Sequence, residues 1–295
     1  MIAVGTKSNY PGAAVVSNRN QPRVIVVSGG TDGMGRALAL SRAERGDCVV
    51  ALGSNPGKGE KLLAEADRIG AAGRIDFLQV DLSSVARTRA AIEHVAARHD
   101  ALDALVLFAN RQAPRRIATT ERLEQTFALY YLSRYLLSHE LAPLLARGRT
   151  GVIVNVAGVG IRRGGVHWDD LQLQRGYRMV AAQLQAGRAN DLLGVAFAAQ
   201  HPSVPYVLYH PGFTRSGDLS TLPVPMRALI RLAARMAARP VTTSIEPIHR
   251  LIDHPPTAPL TAIDRDRMLP LTLDTLDPAN ATRLDAATRT LLAAL

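Results

Sequence analysis

Cysteine is almost absent from this sequence, since Cys48 is the only one. No disulfide can therefore form within the chain, and because Cys48 opens an apolar run we expect a buried, unreactive side chain. No run of eighteen apolar residues occurs, which argues against a membrane-spanning helix. Residues 1–20 lack the apolar core of a signal peptide, and we interpret them as a loose, flexible tail. These absences favour a cytoplasmic protein.

Lysine is also scarce, because the chain has only Lys7, Lys58 and Lys61 and its other basic residues are arginines. The net charge of +10 could serve nucleic acid, an anionic membrane surface or an acidic protein. However, the arginines are spread along the whole chain. Neither a zinc-ligand spacing nor a nucleic-acid-binding motif accompanies them. We therefore expect no nucleic-acid partner and no metal site.

Apolar residues make up 47% of the chain, which is enough for a substantial core. Continuous apolar runs alternate with helical patterns, an arrangement typical of a parallel sheet covered on both faces. No linker and no internal repeat interrupts residues 21–295. Because parallel crossovers are right-handed, the sequence predicts one doubly wound α/β domain. The predicted strands are 24–28, 48–52, 74–80, 102–109, 151–157 and 204–209, and the predicted helices are 36–45, 58–69, 84–98, 120–146 and 178–200.

A glycine-rich turn at 28–35, with the sequence Ser-Gly-Gly-Thr-Asp-Gly-Met-Gly, separates the first predicted strand from the first helix. Glycines allow the backbone to approach a pyrophosphate closely, and a helix N-terminus offers it N–H groups and a positive dipole end. The pattern therefore predicts a Rossmann-type dinucleotide site. The alternative is a turn that the fold keeps without a ligand. The candidate contacts in the turn are Gly29, Thr31, Gly33, Met34 and Gly35.

The end of the second strand bears on which dinucleotide binds. An acid about 20 residues beyond the turn would hold the ribose hydroxyls of NAD, but residues 53–55 are Gly-Ser-Asn. No acid there repels a 2′-phosphate, and Ser54, Lys58 and Arg36 could help to bind one. NADP(H) is therefore favoured, although a structural cofactor, or none, stays open. The candidate contacts in this part of the chain are Ser54, Asn55, Asp81 and Leu82, where Asp81 holds the adenine amine or caps a helix.

The pattern resembles the short-chain dehydrogenase/reductase superfamily, most of all the branch of retinol dehydrogenases and protochlorophyllide reductases. The resemblance extends over residues 23–295, and it implies further cofactor contacts at Ala109, Pro211 and Gly212. Its carriers are the glycine turn, Asp81-Leu82, Leu102-Asp103-Ala104-Leu105-Val106, Leu123-Glu124-Gln125-Thr126-Phe127, Val152-Ile153-Val154-Asn155-Val156, Ala189-Asn190 and His210-Pro211-Gly212.

The catalytic positions are where the resemblance breaks. In that family a Tyr is the general acid/base, a Lys four residues later lowers its pKa, a Ser polarises the carbonyl, and an Asn supports a relay water. Alignment on the flanking motifs puts Gln183, Gly187, Gly158 and Tyr130 at those four positions. No lysine follows Lys61, so a phenol in this region would find no ammonium partner. The resemblance thus implies a Rossmann frame that lacks the family's catalytic tetrad.

The pocket above the carboxyl ends of the strands should remain, because the fold places it there. His167 with Asp169 or Asp170 could form an acid/base pair, or the segment could cap a short helix. Gln183 could hydrogen-bond a carbonyl or be an ordinary satisfied polar residue. Tyr130 could donate a proton or serve only in packing. The candidate catalytic residues are Tyr130, Gln183, His167 and Tyr177.

Four arginines recur every fourth residue in the segment that covers the substrate in this family: Arg227, Arg231, Arg235 and Arg239. This spacing predicts an amphipathic helix with one basic stripe. The stripe could dock an acidic partner such as a carrier protein, or an anionic membrane, or it could be a solvated face. A homodimer is also compatible with the sequence.

Three functions follow in order of preference. The first is a divergent enzyme that performs cyclisation, isomerisation or elimination without redox on a small apolar substrate, for example a secondary metabolite. The second is an NADP(H)-dependent reductase of a ketone or activated alkene whose proton donor is Tyr130 or water. The third is a non-enzymatic protein that senses a dinucleotide or serves as a partner subunit. The fold alone does not choose among them.

Overall fold

The computed structural model describes residues 22–212 and 241–295. Within these residues eight strands form one sheet in the order β3-β2-β1-β4-β5-β6-β7-β8. Strands β1 to β7 pair in parallel, and β8 pairs antiparallel with β7. The strands are β1 Val24–Ser28, β2 Cys48–Gly53, β3 Ile75–Gln79, β4 Ala104–Leu107, β5 Val152–Val156, β6 Tyr206–His210, β7 Leu260–Asp264 and β8 Arg267–Met268.

Seven helices connect and cover these strands in the described residues, together with a short 3₁₀ helix. The helix α4 is continuous but mixed, because a π-helical turn lies between its first turn and its longer α-helical part. The helices are α1 Gly33–Glu44, α2 Pro56–Arg68, α3 Val85–Ala96, α4 (Gln125–Phe127, the π turn Ala128–Leu132, and Ser133–Arg147), α5 Met179–Gln200, α6 Val241–Asp253, the 3₁₀ helix Asp274–Leu276 and α7 Pro278–Ala293.

The sheet separates two apolar layers. Because successive side chains of a strand point to opposite faces, Val26 packs into one layer while Ile25 and Val27 pack into the other. The first layer receives buried side chains from α3, α4, α5 and α7, and the second receives them from α1, α2 and α6. This confirms the predicted doubly wound single domain, whose ligand crevice lies at the carboxyl ends of the parallel strands.

The sequence placed the first six strands well but was wrong about one helix start. It predicts a helix from residue 120, whereas the helix begins at Gln125. Arg122 has a φ of 61°, in the left-handed region, and Ala118 forms a bridge with Glu124. The Glu124 carboxylate then accepts hydrogen bonds from the amides of Thr126 and Phe127. A turn and a side-chain cap therefore replace the first predicted helical turn.

Some predictions fall outside the described residues or need correction. The predicted tail at 1–20 and the arginine stripe at 227–239 both lie outside the described residues. Cys48 is half-buried at the start of β2 rather than fully buried. Among the described helices, none combines the length and apolar character that a membrane crossing requires.

Candidate active site

The glycine turn between β1 and α1 has the backbone shape that a dinucleotide cradle requires. Gly29 and Gly33 have φ values of 71° and 50°, which are costly for residues with a Cβ atom. A Cβ added at Gly35 would lie 2.2 Å from the carbonyl oxygen of Gly29, and one at Gly29 would lie 3.0 Å from the Ala109 nitrogen. These glycines therefore let β1, the N-terminus of α1 and the end of β4 approach closely. The backbone here fits a pyrophosphate.

Asp32 sets the charge at this cradle. Its carboxylate caps α1 by accepting a hydrogen bond of 2.8 Å from the Gly33 amide. Its other oxygen lies 2.6 Å from the Lys58 Nζ. Arg36, the second cation expected to help a 2′-phosphate, lies 3.8 Å from the Glu65 carboxylate. Both cations are thus already engaged by carboxylates, which the sequence after β2 alone does not indicate.

The other predicted cofactor residues line the same edge of the sheet. Ser54 and Asn55 are exposed after β2, and the Asn55 side chain caps α2 by accepting from the Lys58 amide at 3.0 Å. The Asp81 carboxylate accepts from the amide and the hydroxyl of Ser83. It does not cap the next helix as one alternative expected, because Ser84 does so. Thr31, Met34, Leu82 and Pro211 are buried around this edge, and Gly212 follows β6 with a φ of 78°.

Tyr130 lies in the π-helical turn of α4, at the edge of the sheet where the resemblance places catalysis. Its ring packs against Ala157, just after β5, and against Ala186 of α5. Burial raises the pKa of the Tyr130 phenol, while Arg134 and the backbone amide of Gly158 act in the opposite direction. Its hydroxyl therefore stays protonated and lies near the position that the family gives to its carbonyl-polarising Ser.

Arg134 is a functional candidate that the sequence reasoning missed. Its side chain is fully buried, and its guanidinium lies 4.6 Å from the centre of the Tyr130 ring. It donates hydrogen bonds to the Asn155 side chain, to the Val156 carbonyl at 2.9 Å and to the Ala109 carbonyl at 3.1 Å. No carboxylate lies within ion-pair distance in the described parts of the chain, and its Nε has no hydrogen-bond partner there. A buried cation without a counter-charge is energetically costly.

Asp191 is the second functional candidate that was missed. It is 1% exposed on α5, and burial raises its pKa to about 7. The signal that could have revealed both residues is the same. Arg134 and Asp191 each place a charge inside an otherwise apolar helical segment, where a charge is rarely fully buried.

The four predicted catalytic residues do not form one cluster. The Gln183 amide exchanges hydrogen bonds with Asn110 and donates to the Arg111 carbonyl at 3.1 Å, so it is a satisfied polar residue. The Tyr177 hydroxyl donates to the Ala113 carbonyl at 2.8 Å. Both side chains thus tie the start of α5 and the segment before it to the loop after β4. Tyr130 alone contacts Ala157 and Ala186 near Gly158.

The expected acid/base pair of His167 with Asp169 or Asp170 is absent from the described residues. The His167 side chain is exposed, and its backbone amide donates to the Gln185 side chain at 2.9 Å. The Asp170 carboxylate instead accepts from the amides of Gln174 and Arg175. These bonds close a turn, and the next helix begins only at Met179, so the alternative of a helix cap is also wrong for this segment.

Gly158 and Gly187 differ in the space around them. A Cβ at Gly158 would meet the end of the Ile161 side chain at 2.6 Å, and a Cβ at Gly187 would meet nothing within 4 Å. Ile161 and Val180 are exposed apolar side chains nearby in sequence, at 42% and 63% exposure. This part of the fold thus holds one buried phenol, one buried guanidinium and one buried carboxyl, those of Tyr130, Arg134 and Asp191.

Comparisons with known proteins agree with this architecture. A family profile described as short chain dehydrogenase matches residues 23–169. Among solved structures, one from Shigella flexneri described as a short chain dehydrogenase complexed with NADP aligns with a TM-score of 0.58 at 17% identity, covering 82% of this chain and 96% of that one. A short-chain dehydrogenase from Streptomyces avermitilis aligns with a TM-score of 0.60 at 19% identity, covering 92% and 96%. At these identities the structures establish the fold.

Curated relatives carry the names of reductases and dehydrogenases. DnrU of Streptomyces sp. (strain C5), whose name assigns it as a daunorubicin C-13 ketoreductase, is 27% identical over 78% of this chain and 80% of its own length. Mouse polyprenol dehydrogenase is 30% identical over 59% of this chain and 53% of its own. Bovine retinol dehydrogenase 12 is 26% identical over 66% and 62%. The chain thus spans less than two thirds of the length of the last two.

These names are consistent with an enzyme, and retinol dehydrogenases are among the relatives, as the sequence resemblance implied. The fold, the glycine turn, the family profile and the relatives converge. The chain belongs to the short-chain dehydrogenase/reductase superfamily.

Proposed function

We propose that this protein is a dinucleotide-dependent reductase of a carbonyl group on an apolar substrate, and that the Tyr130 hydroxyl is its proton donor. The observation that carries the proposal is the position of Tyr130. Its buried phenol lies against Ala157 and near the Gly158 amide, at the carboxyl edge of the sheet. DnrU, whose name is that of a ketoreductase, supports this choice of reaction.

The dinucleotide site is proposed to be formed by the glycine turn, the N-terminus of α1 and the residues after β2. The close approach of Gly35 to Gly29 supports a fit to pyrophosphate. A nicotinamide dinucleotide bound there would supply the hydride. NADP(H) remains our preference because of the NADP-bound structural neighbour. The engagement of Lys58 by Asp32 weakens the argument from charge alone.

Tyr130 can complete a reduction by transferring a proton. When a carbonyl carbon accepts a hydride, its oxygen becomes an alkoxide, which takes the proton of the Tyr130 hydroxyl to give the alcohol. The phenolate that remains is then reprotonated from solvent. Arg134, 4.6 Å from the ring centre, would stabilise that negative charge, because it has no carboxylate partner in the described residues. The phenolate thereby offsets the cost of the buried guanidinium.

Substituting Tyr130→Phe tests this proposal, because it removes the hydroxyl and keeps the ring. We expect kcat for NADPH-dependent reduction of acetophenone or phenanthrenequinone to fall by about 10² to 10⁴. The Kd of the dinucleotide, measured by fluorescence titration, should stay unchanged. Tyr177→Phe is the matched control, since its hydroxyl is already bonded to Ala113. Equal loss in both variants would reject Tyr130 as the donor.

A reaction without redox is the second candidate, and Gln183 favours it. An amide cannot exchange a proton as a phenol does, and the chain has no lysine beyond Lys61. We propose on the basis of the family resemblance that the usual catalytic Tyr and Lys are absent. A site of this kind could still orient a substrate for cyclisation, isomerisation or elimination, including a secondary metabolite. Product formation in the absence of any dinucleotide, detected by mass spectrometry, would establish this candidate over the first.

Docking of an acidic carrier protein stays a prediction, because the stripe lies outside the described residues. The stripe consists of Arg227, Arg231, Arg235 and Arg239. A homodimer also stays a prediction. A sensing role without catalysis would require silence in both assays above. A cytoplasmic location likewise stays an expectation from the sequence.

A further inference from the structure

Asp191 is a buried carboxyl group that follows, in sequence, a residue bonded to the backbone of the proposed proton donor. It lies on α5, next to Asn190, whose side chain donates a hydrogen bond of 2.7 Å to the backbone carbonyl of Tyr130. Its Oδ2 accepts from the amide of Gly160 at 3.3 Å. Asp191 therefore contacts the turn formed by residues 158–160, and its neighbour holds the helix that carries Tyr130.

The groups that face Asp191 come from each packed element. Burial is the largest influence on its carboxyl and raises its pKa to about 7, against its ordinary value of 3.8. The Gly160 amide in the turn after β5, Arg188 on its own helix and the Thr275 hydroxyl on the 3₁₀ helix act in the opposite direction. Arg188 forms no ion pair with Asp191 in the described part of the chain, and its guanidinium donates instead to the Ile161 carbonyl at 2.8 Å. The carboxyl is thus poised to ionise near neutrality.

Asp191 and Tyr130 both lie against this turn. The Tyr130 hydroxyl lies near the amide of Gly158, and Asp191 bonds the amide of Gly160, two residues further on. A carboxylate at Asp191 raises the pKa of the Tyr130 phenol, and Arg134 on the other side lowers it. The ionisation of one buried acid is therefore coupled to the acid strength of the other.

We propose that Asp191 is a positioning residue whose protonation sets the strength of Tyr130 as a proton donor. The neutral acid leaves the Tyr130 hydroxyl able to donate, and the carboxylate makes the phenol a weaker acid. The proposal rests on the proposed function, because it assigns Tyr130 as the donor. It predicts that reduction slows as the pH rises through neutrality, and that Asp191 is the group responsible.

The substitution Asp191→Asn tests this, because an amide mimics the neutral acid and can still accept from Gly160. The rate of NADPH-dependent reduction of phenanthrenequinone is measured from about pH 5 to about pH 9. Wild type should lose several-fold in kcat across neutral pH, whereas Asp191→Asn should stay flat and exceed wild type at the alkaline end. The matched control is Asp285→Asn, a buried acid on α7 that accepts from Tyr135. An unchanged fall in Asp191→Asn overturns the proposal.

Unfolding in urea gives a second measurement that needs neither substrate nor cofactor. The folded pKa of Asp191 lies above its unfolded value, so the folded state binds more protons between about pH 4 and about pH 7. The contribution of Asp191 to stability is thus complete at low pH and is lost as the pH rises through that window. We expect the urea midpoint of Asp191→Asn to rise relative to wild type with increasing pH.

The two measurements separate the two proposals. If wild type reduces no ketone but the urea midpoints diverge as expected, the proposed function fails while the ionisation of Asp191 stands. If reduction occurs and the midpoints of wild type and Asp191→Asn stay parallel at every pH, then Asp191 does not titrate in this window and the inference is overturned.

Discussion

Two buried arginines show how differently the two sides of this molecule are built. Arg42 on α1 is 1% exposed, and its guanidinium lies 2.6 Å from the Asp47 carboxylate and 2.9 Å from that of Asp253. Arg134 on α4 is fully buried and meets only neutral oxygens in the described residues. The layer formed by α1, α2 and α6 thus balances its buried arginine within the fold. The layer formed by α3, α4, α5 and α7 buries Arg134 without a carboxylate partner in the described residues.

Replacing each of these two arginines should change the free energy of unfolding by different amounts. Replacing Arg42→Met leaves Asp47 and Asp253 without their shared partner, and removing one member of a buried ion pair costs about 3–5 kcal/mol of unfolding free energy. Replacing Arg134→Met removes an uncompensated cation and strands only neutral acceptors, so we expect a loss of about 1–3 kcal/mol. Urea denaturation of both variants measures the difference. A greater loss for Arg134→Met would mean that it is the better-compensated charge.

The same contrast explains how much could be predicted from the sequence. The proposed dinucleotide site depends on the conformation of the backbone. The positions of glycines in the sequence indicate where the backbone can adopt such a conformation. The turn at 28–35 was therefore recognisable, and Gly29 and Gly33 have the positive φ values that such a turn requires. The order of strands and helices could be predicted as well, because the periodicity of apolar residues reflects the local geometry of strands and helices.

The arrangement of the candidate catalytic residues depends on which side chains contact each other across the fold. The spacing of residues along the sequence does not indicate these contacts. The sequence predicts Gln183 as a candidate catalytic residue, but Asn110, 73 residues away in sequence, satisfies its amide. Arg134 and Asp191 went unnoticed because the charge of a residue says nothing about whether a counter-charge will pack beside it. Lys58 was assigned to a phosphate because its partner Asp32, 26 residues earlier, could not be foreseen.

A second prediction tests whether the dinucleotide side really depends on backbone shape. Gly35→Ala places a methyl group 2.2 Å from the Gly29 carbonyl oxygen, so the turn and the start of α1 must separate. We expect the Kd for NADPH to rise by about 100-fold, close to 3 kcal/mol. Isothermal titration calorimetry measures this. The control is Gly57→Ala on α2, whose added Cβ would meet only Asn55 Oδ1 at 3.6 Å.

Retained affinity in Gly35→Ala, with Gly57→Ala also unchanged, would show that the turn binds no pyrophosphate. The glycine pattern would then be a feature that the fold keeps without a ligand. NADPH would then bind elsewhere on the protein, and the proposed position of the dinucleotide would be rejected.

The weakest effect that we predict is on the stability of α5, which contains Gly187. Glycine inside a helix is less favourable than alanine by about 0.8–1.0 kcal/mol, and a Cβ at Gly187 would meet nothing within 4 Å. We therefore expect Gly187→Ala to raise the free energy of unfolding by about 0.5–1 kcal/mol, measured by urea denaturation. Gly194→Ala on the same helix is the control. Its Cβ would lie 3.0 Å from the Leu208 side chain, so little or no gain should appear. Since the gain at Gly187 needs no repacking, its absence would mean that the space around this position is narrower in solution than the structure shows.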